Sequence, residues 1–172
     1  METIRPHDRP PSITLPGLLL GAGFGGLLDG VMLHQILQWH HLLSSDTCCP
    51  TTTVRGLEAN TLADGLFHLA TILLLCLGAA LLRSRSRGRD VRSWTGRQLL
   101  GLVLQGWGLF NVIEGLVNHQ LLGIHHVRVG PHEAAYDAGF LVLGATLMAL
   151  GHLVRSRAAA GGATSRNDGP KG

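Results

Sequence analysis

Four long apolar runs limit what this chain can become more than any other feature. The first extends from Thr14 to Trp39, with Asp29 as its one weighty polar interruption. The second, Leu62 to Leu82, carries Asp64 and His68 near its start. The third, Leu99 to Leu122, contains Glu114 and His119, and the fourth, Ala138 to Val154, is apolar apart from Thr146 and His152. A helix needs ~20 residues to cross the ~30 Å hydrocarbon layer, and each run reaches that length alone or with its flanks. A chain of 172 residues has room for one domain, and 45% hydrophobic against 15% charged residues is a membrane composition. The expected fold is therefore all-α: a four-helix transmembrane bundle over 13–157, with an N-terminal tail at 1–12 and a disordered tail at 158–172. The first run is too long for a signal peptide, carries Asp29 in its middle and lacks a small-residue cleavage site, so it is expected to remain as a helix.

Arginine sets the orientation. Arg83, Arg85, Arg87, Arg89, Arg92 and Arg97 crowd the loop between the second and third runs. Arg5 and Arg9 precede the first run, and Arg155, Arg157, Arg166 and Lys171 follow the fourth. The other two loops hold only Arg55 and Arg128, so 12 of the 14 basic residues fall on one side, expected to be cytoplasmic. The net charge of +3 is thus a topology signal; with no basic patch beside aromatic residues, it does not point to nucleic acid. Trp39 reads as an interface anchor and Trp107 as core packing.

An internal repeat carries the chemistry. The segment Asp29-Gly30-Val31-Met32-Leu33-His34-Gln35-Ile36-Leu37-Gln38-Trp39-His40-His41 aligns without gaps on Glu114-Gly115-Leu116-Val117-Asn118-His119-Gln120-Leu121-Leu122-Gly123-Ile124-His125-His126, with six of thirteen positions identical. An acid, a glycine, His-Gln and a His-His pair recur in register, which marks a duplication. Each repeat is one helical hairpin, so the two should be related by a pseudo-two-fold axis along the membrane normal. Close approach of the first and third helices is expected around Gly25, Gly26 and Gly30.

Intramembrane ionisable residues are costly and functional by default. His34, His40, His41, His68, His119, His125 and His126 are the candidate metal ligands, with Asp64 and Asp137 as further ligands or as orienters of imidazole tautomers. On a continuous α-helix His34 and His41 share a face, His40 points about 100° away, and Asp29 lies about 140° from His34. Asp29 and Glu114 are therefore expected deeper and outside the coordination sphere, hydrogen-bonding across the axis. Imidazoles with carboxylates suit copper, iron or zinc. A proton- or ion-conducting protein working through Asp29 and Glu114 is the alternative, and an accessory subunit with a polar packing core a further one. His7 reads as a tail residue, His132 as a loop residue above the cluster and His152 as interhelical glue. Cys48-Cys49 reads as incidental, with copper binding or a vicinal disulfide as alternatives. Nothing resembles a nucleotide loop, a Ser-His-Asp arrangement or a nucleic-acid module.

At these motifs the chain resembles a family of bacterial membrane proteins, domain-of-unknown-function family 2243. The resemblance covers roughly 15 to 155. It rests on Gly25-Gly26-Leu27-Leu28-Asp29-Gly30 through His34-Gln35-Ile36-Leu37-Gln38-Trp39-His40-His41, and on Leu57-Glu58-Ala59-Asn60-Thr61-Leu62-Ala63-Asp64-Gly65-Leu66-Phe67-His68. It continues through Gly108-Leu109-Phe110-Asn111-Val112-Ile113-Glu114-Gly115, His119, His125-His126-Val127-Arg128, Tyr136-Asp137 and Phe140-Leu141. The resemblance implies a four-helix protein of the bacterial plasma membrane with no established activity. Members look like neighbours of cytochrome oxidase assembly proteins, which implies such partners and copper or respiratory chemistry. The cysteine pair is unusual for its loop.

Overall fold

The computed structural model describes residues 12–87 and 94–167, with side chains as far as 158. His7 and several of the orienting basic residues (Arg5, Arg9, Arg89, Arg92, Lys171) lie outside the described residues. The described residues form four helices and no strand. Helix α1 spans Thr14–Asp29, α2 Val54–Ser86, α3 Gly96–Glu114 and α4 Glu133–Asn167. Helices α1 and α3 each run on into a π-helical segment, Gly30–Ile36 and Gly115–Leu121. All four helices are long and apolar enough to cross a membrane.

The ends follow from local chemistry. Pro16 sits in the first turn of α1, where its missing N–H costs nothing. Thr53 caps α2 by accepting from the Gly56 amide, and Thr95 with Gln98 forms a reciprocal capping box on α3. α2 starts eight residues before the apolar run beginning at Leu62, because Thr53 and the polar turn Val54–Thr61 extend it beyond the lipid. α4 is helical to Asn167, past the expected domain end at 157; residues 168–172 are outside the described residues.

α1 and α3 form the central pair, with α2 packed on α1 and α4 on α3. Small residues permit this. A side chain on Gly21 would run into the α3 backbone at Val103, and one on Gly106 into the α1 backbone at Leu18. Only part of the expected contact is where the sequence put it. Gly25 faces Trp107 of α3, but Gly30 faces Phe67 and His68 of α2, and Gly26 lies between Thr71 and Phe110. The interior is inverted relative to a water-soluble bundle. Its buried hydrophobic side chains are Ile13, Leu102, Val127, Phe140 and Leu147, while the buried polar set includes four histidines, three aspartates and one glutamate. Leucines 62, 66, 69, 73 and 77 form an exposed stripe along α2, a face made for lipid.

Candidate metal centre

The site lies at the end of the bundle away from the arginine loop, where the two π segments break off. Each π segment ends in a wide turn. The Leu37 amide donates to Met32 and the Leu122 amide to Val117, both at 2.8 Å. Gln38 and Gly123, at matching positions of the repeat, follow with φ of 49° and 57°. Glycine adopts that conformation freely, whereas Gln38 is held in it by its surroundings. The two turns send His40 and His125 back towards the bundle axis.

Three histidines there have one ring nitrogen committed and the other bare. His40 Nδ1 donates to the Val127 carbonyl at 2.8 Å, and His125 Nδ1 donates to the Leu42 carbonyl at 3.1 Å. The two bonds are reciprocal, each repeat supplying the acceptor for the other. A carbonyl only accepts, so Nδ1 carries the proton and Nε2 presents a lone pair. His34 Nδ1 donates to Asp64 Oδ1 at 2.9 Å. The Nε2 atoms of His34, His40 and His125 are buried without a hydrogen-bond partner. His40 and His125 stack with ring centroids 4.8 Å apart, and His34–His40 and His119–His125 meet edge-on at 4.5 and 4.8 Å. Both stacked residues lie beyond the helical spans. Burial, reinforced by repulsion from neighbouring imidazoles, pushes His40 down to about 2 and His125 down to about 4, so both are neutral at physiological pH.

Two groups are spaced to hold a metal ion: His34, His40 and His125, and Glu114, His119 and His125, the ligand atoms within each lying within 4.8 Å of one another. Glu114 is thus inside a ligand group, and Asp29 Oδ2 is 3.5 Å from His34 Nε2, contrary to the α-helical expectation. The π segments are the reason. In a π turn residue i+5 lies over residue i, which brings Asp29 under His34 instead of 140° away, and Glu114 under His119.

The remaining candidates divide by position. Asp64 accepts from His34, from His41 Nδ1 at 2.7 Å and from the Leu42 amide at 2.9 Å, so it holds the first hairpin's turn against α2. Asp137 does the same on α4, accepting from His126 Nδ1 at 2.7 Å and the Val127 amide at 3.0 Å, while His119 Nδ1 lies 3.4 Å from Asp137 Oδ1 without a hydrogen bond. His41 and His126 are thus tied to these carboxylates, are partly exposed, and belong to neither of the two spaced groups. His68 donates to the Asp64 carbonyl at 2.7 Å, and its ring tip lies against Gly30, below the cluster. His132 and His152 are exposed. Cys48 and Cys49 are joined in a vicinal disulfide.

Sequence reasoning missed Asn60, which is fully buried and ties the loop to α2 by accepting from the Leu43 amide and donating to the Cys49 carbonyl, both at 2.9 Å. An asparagine beside an apolar run is the signal that marks it. Phe67 was also missed; it stacks on His34 at 5.5 Å, as Phe140 lies against His119 at 5.3 Å.

No curated protein and no solved structure matches the chain. Residues 16–158 match the family described as "Predicted membrane protein (DUF2243)". That match takes in all four spans, both π segments and every member of the histidine cluster, and the chain belongs to this family of predicted membrane proteins.

Proposed function

We propose that this protein binds one transition-metal ion among His34, His40, His119, His125 and Glu114, and either handles that metal or uses it for redox chemistry. The observation that carries the reading is the set of three buried Nε2 lone pairs, on His34, His40 and His125, whose opposite nitrogens are fixed by a carboxylate or a carbonyl. Unpaired buried polar atoms are costly, and three converging ones fit a cation better than a packing core. The two ligand groups describe alternatives around one centre, because both need His125 and its Nδ1 is already committed to Leu42. Imidazole-rich sites suit copper, zinc and iron. Copper is the first ion to test, on the resemblance to neighbours of oxidase assembly proteins, which would then be the partners. The reciprocal bonds at matched positions support descent of the two hairpins from one duplicated unit.

Purified protein in detergent, prepared under metal-replete conditions, is expected to carry about one ion per chain, with an optical spectrum that identifies it. Protein free of stoichiometric metal, showing instead a pH-dependent flux abolished by Asp29→Asn, would replace this reading with the proton path.

The arginine distribution supports a reading in which the cluster lies at the outer face of a plasma membrane and both chain ends are cytoplasmic. In a background without the native cysteines, Thr52→Cys is expected to react with an impermeant reagent in intact cells, and Ser86→Cys only after lysis. The opposite pattern reverses the orientation.

A further inference from the structure

A cavity of about 450 Å³ opens between α1, α3 and α4, beside the histidine cluster. Its lining is mainly apolar, with Asp29, Asn111, Tyr136 and two indole rings as the side chains that carry polar atoms. Asp29 and Asn111 are more than nine-tenths buried, and Asp29 Oδ2 and Asn111 Oδ1 have no hydrogen-bond partner, Asp29 Oδ2 lying 3.5 Å from His34 Nε2. Two of the chain's three tryptophans, Trp39 and Trp107, line the space together with its single tyrosine, Tyr136, and Phe140. The volume is that of a small-molecule site, and few polar groups in an apolar aromatic wall is how such sites fix a ligand's orientation.

The two repeats differ at the wall of this cavity. Gly25 lines it, and the matching position of the second repeat is Phe110. The Phe110 ring lies against Gly26 and 6.1 Å from Phe67, filling the corresponding space beside α2. The opening is therefore a departure from the repeat and not a product of it.

We propose that this cavity binds a lipid-soluble hydroxylated aromatic molecule of the hydroquinone class, its ring between the aromatic side chains and its hydroxyl donating to Asp29 or Asn111. The apolar wall within the membrane span selects a ligand that arrives through lipid. The aromatic lining selects a flat ring. Asp29 and Asn111, which border the space, are the acceptors that select a hydrogen-bond donor, which an acyl chain lacks. The ligand's polar end then sits one side chain from His34. This inference stands on the cavity and does not depend on metal at the cluster.

The test uses the full chain in detergent with Trp94→Phe, so that Trp39 and Trp107 report binding by fluorescence. The probes are decylhydroquinone and its dimethyl ether, which has the same shape and no donor. The hydroquinone is expected to bind saturably and about tenfold or more tighter than the ether, the size of one hydrogen bond to a buried acceptor. Asp29→Asn should narrow that ratio. Gly139 lines the cavity and a Cβ added there meets nothing within 4 Å, so Gly139→Phe is expected to occupy the space and abolish binding of both probes while leaving metal content unchanged. Leu143→Trp, on the same wall, serves if that variant fails to fold. Equal affinity for the two probes would show that the space takes apolar chains only. Undiminished binding in the filled variants, or no saturable binding of the hydroquinone, would also overturn the proposal.

Discussion

Asp64→Ala is expected to destabilise the protein by about 3–5 kcal/mol, since each donor left without its acceptor away from water costs about 1–3 kcal/mol. The side chain is 1% exposed and accepts from His34, His41 and the Leu42 amide at once. Alanine leaves all three donors without that partner, and no water reaches the inner one, since His34 is fully buried. Asp64→Asn should cost less, because its carbonyl still accepts one of the three bonds. Asp137→Ala should rank below Asp64→Ala. Its contacts to His126 and Val127 are short, but those to His119 and Gln120 are both 3.4 Å. Thermal unfolding of the purified proteins gives the order. An Asp64→Ala protein as stable as the parent would mean that these bonds do not hold the turn.

The second large effect concerns metal. His125→Ala removes the one residue common to both ligand groups, so it is expected to weaken metal binding by more than about 100-fold, beyond the 10–100-fold typical of losing an orienting partner. Asp64→Asn should fall within that lower range, because it orients His34 without facing the centre. His68→Ala should leave binding nearly unchanged, since the ring is tied to its own helix at the Asp64 carbonyl. Metal analysis combined with chelator competition measures all three. His125→Ala retaining a full complement, or His68→Ala losing as much as His125→Ala, would remove the proposed centre.

The spans were legible because hydrocarbon thickness imposes a length, and nothing in lipid can hide a shortfall. The cluster's members were legible because acid, His-Gln and His-His recur in register. Their directions were not. Angular reasoning over Asp29–His41 assumed 3.6 residues per turn, whereas the chain leaves the α-helix at Gly30 and leaves helical structure altogether near Leu37. No residue between Gly30 and Ile36 announces a π turn, since its cost is offset by tertiary bonds from Asp64, Val127 and the partner repeat. So Asp29 and Glu114 were placed too far from the imidazoles, and His41 and His126 too near the centre. The division between outer and inner histidines depends on Gln38, whose left-handed backbone turns the pair after it.

The exchange of bonds between His40 and Val127, and between His125 and Leu42, has an evolutionary reading. Each hairpin carries a donor histidine and, two residues on, the carbonyl that its counterpart's histidine requires. Neither can close that bond within itself. A progenitor made of one hairpin would have satisfied both only by meeting a second copy face to face, so it would have worked as a symmetric dimer before the two copies shared a chain. On the duplication proposed above, fusion would have freed the halves to diverge, and the Gly25–Phe110 difference would mark one place where they did. The two hairpins made as separate polypeptides would then be expected to find each other again in the membrane.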